Sequence, residues 1–497
     1  MAIAGIDIGT TGCKCTIYDI QGNVKGESYI EYDGQIAGNT HTLNPSVVWE
    51  SVCEVLRLAA QSIDKIYGIG VTSFGEAAIL LDKHDQPIMD SLLYTDKRGQ
   101  DQCEKLVDSL GVAYMTEHTG LNPSPMYSIS KLMWIKENHP DLMNRCKRIC
   151  LFEDFIVYML SGIHQIDYSL ASRTMAFNIN ELEWDESIFN YAGIKPELMG
   201  KVVPIGQGAG IIKEDIATML DINKDALIVS GCHDQIASAI GAGVLKPGMA
   251  VDGIGTVECI TPIFDTNIDR SRLYSGSYAI VPFLNNTFAT YAFSLSGGAL
   301  LKWYRDKIAP HEAERAVIEG VLPYVYFESL IQKSEPSNLL ILPHFSGAAT
   351  PYMDDMSTGA IIGLSQETSK IDIYQGLMEG ITFEMKVNLE HLEAAGISVD
   401  SIFATGGGAK SKYWMQLKAD IFNRPIVTME ASQSGALGCI MLVAVACGIF
   451  SDLEEAGRTF IQKKEVYTPD KLRHEAYMKK YKKYKKMYKA VKSVVID

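Results

Sequence analysis

No stretch of this sequence stays apolar long enough to cross a bilayer as a helix. The longest apolar run, Gly435 to Phe450, covers 16 residues. A span needs ~20, so the run reads as a buried helix. Nor does MAIAGIDIGTTG carry a basic leader, a long apolar stretch and a cleavage site. The expectation is a cytoplasmic protein without membrane attachment. Positive charge is the minority sign: 45 Lys plus Arg against 60 Asp plus Glu leave a net charge of −15. A polyanion would meet a repulsive mean field, so no nucleic-acid partner is expected. Paired-cysteine patterns are missing as well. Ten cysteines without a leader read as free thiols in a reducing compartment. Cys13 and Cys15 share one face of an apolar strand. No second Cys or His pair follows nearby to complete a metal site, so they read as structural.

Familiar nucleotide fingerprints are absent too. In Gly406-Gly407-Gly408-Ala409-Lys410-Ser411, Ala409 stands where a P-loop has Gly before Lys-Ser. Gly241-Ala242-Gly243 lacks the third Gly of a dinucleotide fingerprint, Lys246 being in its place. A Gly-rich strand-to-helix turn still lets a ligand approach the backbone, so adenosine packing on Gly406 to Ala409 is an expectation.

What is present is an ordinary globular composition, 47% hydrophobic and 21% charged, which excludes a mostly disordered chain. A length of 497 residues allows about three domains of ~150 residues or two large ones. Ala2 to Ile8, the turn Gly9-Thr10-Thr11-Gly12 and Cys13 to Tyr18 read as strand, turn, strand. Val251-Asp252-Gly253-Ile254-Gly255-Thr256-Val257-Glu258-Cys259-Ile260 repeats the order Asp, Gly-Thr, Cys, apolar about 245 residues later, which suggests duplication of one architecture. Strands are expected at Ile66 to Val71, Ala78 to Leu81, Leu339 to Leu342, Ser401 to Thr405 and Pro425 to Met429. Helices are expected at Val47 to Ser62, Asp372 to Ala395 and Gly435 to Cys447. This mixture indicates an α/β protein. The Pro247-Gly248 turn suggests two domains, 1–245 and 246–497.

The C-terminus stands apart. Lys471 to Lys492 holds ten Lys or Arg and one Glu, a local +9. Tyr477, Tyr481, Tyr484 and Tyr488 share one helical face, so a terminal helix docked by tyrosines with its lysines in water is expected. Membrane or nucleic-acid attachment is the competing reading.

Chemistry is suggested at three places. Gly9 and Gly12 let successive N–H groups converge on a phosphate, with hydroxyls from Thr10 and Thr11. Asp7 is placed to hold Mg²⁺ through water, and Lys14 to reach a phosphate. Taken alone, Gly-Thr-Thr-Gly is a hairpin turn; the second Gly255-Thr256 turn makes a two-sided clamp on a polyphosphate the sharper reading. Asp234, between the strand Ala226 to Val229 and the helix Ile236 to Gly241, is the candidate base, with an N-cap role as the alternative. Gln235 is placed to bind a hydroxylated ligand, and His233 reads as a satisfied turn residue.

With these segments in view, the chain resembles the FGGY carbohydrate kinases, of the sugar kinase–Hsp70–actin fold. IDIGTTGCK is similar to the family's first phosphate segment and GCHDQIASAIGAGV to its catalytic-aspartate segment. DGIGTVE is similar to the second phosphate segment and ATGGGAKSKYWMQLKADIFNRPI to the adenosine segment. Met126 to Asn138 fits its first signature. The resemblance implies two actin-like, ribonuclease H-like lobes of mixed sheet flanked by helices, with a cleft between them. It implies ATP-dependent, Mg²⁺-dependent phosphorylation of a sugar or polyol hydroxyl, Asp234 taking the hydroxyl proton. Donors would come from Thr10, Thr11 and Thr256; Gly298, Gly407 and Ser411 match adenine-nucleotide positions, with Gly408 and Ala409 as further candidate contacts in the same glycine-rich turn. A non-catalytic actin-like or chaperone-like nucleotide switch is the reading from another class. A homodimer is left open.

For the substrate, the resemblance places the sugar-contacting pair at Gly75 and Glu76. Xylulose kinases usually carry Met-His there and glycerol kinases Arg-Glu. Gln235 agrees with the glycerol type, whereas Met126 replaces its usual Tyr. Asp96 is a further candidate hydroxyl contact. A pentulose such as xylulose leads, with glycerol, erythritol-type polyols and gluconate behind. Ala348-Ala349 stand where the family commonly has Glu-Arg, so an ion pair is expected to be missing there.

Overall fold

The computed structural model describes residues 2–38, 40–331, 335–429 and 434–495. The chain divides into two compact units. The first comprises Met1–Leu245, Ala279–Ala289 and Gln433–Ile461; the second comprises Lys246–Tyr278, Thr290–Ser432 and Gln462–Asp497.

At the centre of the first unit is a six-stranded sheet. Its strands are β1 (Ala2–Ile8), β2 (Gly12–Asp19), β3 (Val24–Glu31), β4 (Ile66–Ser73), β5 (Gly208–Ile211) and β6 (Leu227–His233). They lie in the order β5-β6-β4-β1-β2-β3. β1, β4 and β6 run parallel, and the other three antiparallel to their neighbours. Parallel strands covered on both faces need near-continuous apolar sequence, and β1 and β4 are buried along almost their whole length. One cover is the helix Pro45–Ala60, started by Asn44, whose side chain accepts from the Ser46 amide at 2.9 Å. It buries Val48, Val52, Val55 and Leu56 in one core with Ile6, Cys13, Cys15 and Ile17. The two cysteines are therefore core residues, and all ten cysteines are free thiols.

A second cover is the helix Ser434–Ala446, apolar all round and so buried all round. It comes down onto glycines. A Cβ on Gly5 would stand 2.6 Å from the Ala436 carbonyl, and one on Gly70 would stand 2.6 Å from Val443 Cγ2. In the division into compact units, 279–289 and 433–461 go with the first unit, so neither unit is one continuous stretch of chain. Turn composition marked the chain reversal at Pro247-Gly248, but it could not reveal that a late helix returns to cover an early sheet.

In the second unit the strands are β7 (Gly248–Ile254), β8 (Glu258–Phe264), β9 (Ala292–Ser294), β10 (Val399–Thr405), β11 (Ile426–Met429) and β12 (Lys463–Tyr467). Their order is β9-β8-β7-β10-β11-β12. β7, β10 and β11 are parallel; β8, β9 and β12 are antiparallel to their neighbours. Each unit thus has a hairpin, a third antiparallel strand, two added parallel strands and an antiparallel edge. The duplication read from two Asp and Gly-Thr hairpins has this topology behind it.

The helix Lys370–Ala394 crosses the second unit behind a capping box of Ser369 and Asp372. Tyr477, Tyr481 and Tyr484 of the helix Lys471–Tyr484 are buried, with ring centroids 6.3, 5.5 and 5.3 Å from Phe383. Two features depart from expectation. The helix stops at Tyr484 and another begins at Met487, and Tyr488 stacks half-buried on Tyr352 at 3.9 Å. Nor are all the basic residues in water: Lys480 is ion-paired with fully buried Glu379, and Arg473 Nε lies 2.9 Å from Asp420. Where the Glu-Arg pair is missing, the Ala348 and Asp354 amides each donate to the other's carbonyl at 2.9 Å and hold the loop. Among the described residues no helix is long and apolar enough to cross a membrane.

Candidate active site

Three carboxylates of the first unit come from the carboxyl ends of adjacent parallel strands, the edge where open α/β sheets bind ligands. Asp7 is at the end of β1, Glu76 follows β4 by three residues, and Asp234 follows β6 directly. Burial raises Asp7 to about 6, against the opposing charge of Lys14. The turn after Asp7 is closed by Gly9 N–H donating to the Gly12 carbonyl at 2.9 Å, and the Tyr32 hydroxyl donates to the Gly9 carbonyl at 2.7 Å. Gly12 has no room for a side chain, since a Cβ would stand 2.5 Å from the Tyr29 hydroxyl. Thr10 is half-buried and Thr11 exposed, so both hydroxyls lie outside the core. Lys14 is ion-paired with Glu27.

Asp234 is the first residue of the helix Asp234–Gly241, and the N-cap position belongs to His233. Its carboxylate accepts from the Gln235 amide. Surrounding protein desolvates it, the charges of Asp7 and Glu76 add to the effect, and it is raised to about 7. The side chain keeps 34% of its area exposed, so a ligand can reach it. His233 Nε2 lies 3.3 Å from Asp234 Oδ1. Burial, and then the Arg173 charge, hold this imidazole well below its ordinary value, so it is neutral.

Glu76 is buried in the left-handed backbone region, with φ of 66°. Arg173 Nε donates to Glu76 Oε1 at 2.6 Å, and the Ser128 hydroxyl donates to the Glu76 carbonyl at 2.6 Å. The guanidinium lies 5.2 Å from the Tyr127 ring centre. Gly75 admits this arginine, since a Cβ there would stand 2.7 Å from Arg173 Cγ. Asp96 is buried in its own clasp. Burial pushes it up, but Arg98 Nε at 2.8 Å, the other Arg98 donors and the His41 amide outweigh that and lower it. Arg173 is the residue that sequence reasoning missed. Its one signal is a lone basic side chain inside the uncharged run Ser169 to Phe177.

In the second unit, Gly255 N–H donates to the Val257 carbonyl at 3.0 Å, and Gly298 N–H to the Gly255 carbonyl at 2.8 Å. A Cβ on Gly298 would stand 2.7 Å from that carbonyl. Gly255 and Thr256 are exposed. Gly406, at φ of +85°, packs on the Ile254 backbone, and a Cβ on Gly408 would strike the Ile254 side chain. Gly407 faces open space. Ala409 lies in the single turn Gly408–Lys410, and Ser411 caps the helix Lys412–Phe422 through the Trp414 amide at 3.0 Å. β7 and β10 are neighbours, so Gly255, Thr256, Gly298, Gly407, Gly408, Ala409 and Ser411 share one neighbourhood.

Beneath that turn lies a fully buried ion cluster absent from the sequence reading. Lys418 Nζ is 2.8 Å from Asp252 Oδ2 and 2.5 Å from Glu258 Oε1. Burial raises Glu258 to about 8, against the opposing charge of Lys418.

Known proteins resemble this chain over most of its length. Residues 2–241 match the N-terminal domain of the FGGY family of carbohydrate kinases, and residues 280–447 match its C-terminal domain. A xylulose kinase of Bacillus subtilis is 28% identical over 94% of this chain and 92% of its own. A gluconokinase of the same organism is 29% identical over 89% and 87%. Among solved structures, ligand-bound xylulose kinase from Lactobacillus acidophilus is 27% identical with a TM-score of 0.89, covering 99% of both chains. With both domain profiles matched in order over most of its length, the chain belongs to the FGGY family of carbohydrate kinases.

Proposed function

We propose that the protein transfers the γ-phosphoryl group of ATP to a hydroxyl of a small ketose or polyol, a pentulose such as xylulose first. The observation that carries this reading is Asp234, an accessible carboxylate held near neutrality beside the Glu76–Arg173 pair. A general base is most effective when its pKa lies near the working pH. Asp234 takes the acceptor's proton, while Glu76 and Gln235 bind its remaining hydroxyls.

The residues present fit a magnesium nucleotide. Asp7 offers a carboxylate for Mg²⁺ through water, and Thr10, Thr11 and Gly12 offer turn donors. Gly255, Thr256 and Gly298 offer a second turn, tight at Gly298, where a Cβ would stand 2.7 Å from the Gly255 carbonyl. The open face of Gly407, with Gly408, Ala409 and Ser411, suits adenosine. When bound, Mg²⁺ neutralises charge on the phosphates.

One charge relation favours a neutral acceptor over gluconate. Arg173 is already paired with Glu76, and Asp7 and Asp234 add further negative charge. A sugar acid would meet repulsion here. Xylulose kinases also recur among the relatives. The ten free thiols fit a reducing compartment, and we place the protein in the cytoplasm.

An ADP-release screen over ketoses, polyols and sugar acids tests the proposal. A neutral ketose or polyol should drive release, and Asp234→Asn should abolish it. Release driven by sugar acids alone, or undiminished in Asp234→Asn, overturns it.

A further inference from the structure

Away from the three carboxylates, the first unit holds a cluster that phosphoryl transfer does not use. The strand Arg148–Cys150 ends in Cys150, the helix Phe152–Ser161 carries Asp154 in its first turn, and His164 follows that helix. One ligand atom from each, sulfur, oxygen and nitrogen, lies within 4.8 Å of the others. Cys150 Sγ is 3.4 Å from His164 Nε2. A tetrahedral Zn²⁺ with bonds of ~2.3 Å to sulfur and ~2.0 Å to nitrogen sets two such atoms about 3.5 Å apart.

The polar groups of the cluster are incompletely matched. Asp154 Oδ1 accepts from the Leu151 amide at 2.7 Å. Asp154 Oδ2, in a side chain with no exposure, has no N–H or O–H donor among the described residues, and the side-chain donor to this carboxyl group is the weak S–H of Cys150. A thiol is a weak donor, so a buried carboxyl group that relies on it for one oxygen stays poorly satisfied. His164 donates to the Ile149 carbonyl, the kind of backbone anchor that orients a metal-bound imidazole. His164 is also half-buried, so the cluster is not sealed from solvent.

We infer that Cys150, Asp154 and His164 form a zinc site. Mixed sulfur, nitrogen and oxygen donors suit Zn²⁺ and disfavour Mg²⁺ or Ca²⁺, which take oxygen. Binding releases the thiol and carboxyl protons to solvent. The cation, thiolate, carboxylate and neutral imidazole then sum to zero charge, as a buried position demands. Arg148, the nearby cation, is already paired with Asp85 at 2.6 Å. The role is structural. The ion clips the strand, the helix and the segment leading to Asp167, which caps the helix Tyr168–Ser172. From that helix, the Ser169 hydroxyl accepts from the His233 amide at 2.9 Å, so the clip steadies a support of the residue preceding Asp234.

The test is a titration of the purified full-length chain with Co²⁺ alone, followed by Zn²⁺. A thiolate-to-cobalt charge-transfer band should appear, saturate at one ion per chain and be bleached by Zn²⁺. His164→Gln and Cys150→Ser should each weaken Co²⁺ binding by an order of magnitude or more, and Cys146→Ser should leave it unchanged. His164→Gln alters a half-buried position, so it decides the matter even if Cys150→Ser fails to fold. Absence of the band, or a band of undiminished affinity in His164→Gln, overturns the site.

Discussion

His233 Nε2 stands 3.3 Å from Asp234 Oδ1, yet the ring is held neutral by its surroundings, so no imidazolium offsets the carboxylate. Burial, with Asp7 and Glu76, outweighs the Gln235 amide and the Arg173 charge and brings Asp234 to about 7. Sugar kcat/KM should therefore fall about tenfold per unit as pH drops below ~7, because the base must be deprotonated. Steady-state ADP release across pH checks this.

The same shift has a stability sign. A carboxyl raised in the folded state contributes stability that is full below its unfolded value and lost as pH rises through the folded one, about 7 here. Asp234→Asn removes that loss. The variant should lose turnover by ~10²–10⁴-fold while resisting urea better than the parent at alkaline pH, and no better in acid.

Arg173 and Glu76 are both nearly buried, with 8% and 5% side-chain exposure. Arg173→Met leaves an uncompensated carboxylate and should cost about 3–5 kcal/mol. Glu76→Gln on top of it should recover part of the loss, which urea unfolding of the double-mutant cycle reads directly. The sugar KM should rise far more than the ATP KM in Arg173→Met.

Lys418→Met removes the cation shared by Asp252 and Glu258. A loss of about 3–5 kcal/mol is expected near pH 8. Glu258 is already raised to about 8 with the lysine present, and burial raises Asp252 as well, so the loss should shrink as acid neutralises the cluster. Urea midpoints at two pH values test the sign.

Along the C-terminal helix, Lys480→Met strips the partner from buried Glu379 and should cost ~3 kcal/mol or more. Lys479→Gln, Lys482→Gln and Lys483→Gln change exposed side chains and should each stay within ~0.5 kcal/mol. Thermal melts of the four variants separate the two classes.

Local pattern carried much of this molecule. The Gly9 to Gly12 turn, the Gly255-Thr256 turn and Asp234 were legible because turn chemistry and strand-to-helix junctions are short-range. All eight strand and helix spans read from periodicity fall within two residues of the observed ends. What escaped was long-range pairing. Arg173 meets Glu76 across 97 residues, and Lys418 meets Asp252 across 166. Neither partner changes its own local pattern to advertise the other. The return of the helix Ser434–Ala446 to the first sheet escaped for the same reason, since its uniform apolarity reports burial but not the surface that buries it.

That helix sets a condition on translation. When a ribosome has delivered β1 through β6, the glycine-lined face of the sheet still waits for residues about two hundred positions downstream. Until they emerge, the nascent chain carries an uncovered apolar surface, and a fragment ending at Leu245 should depend on chaperones or precipitate. The order of synthesis and the order of packing are not the same in this protein, and its amino-terminal half finishes folding only after most of its carboxyl-terminal half has been made.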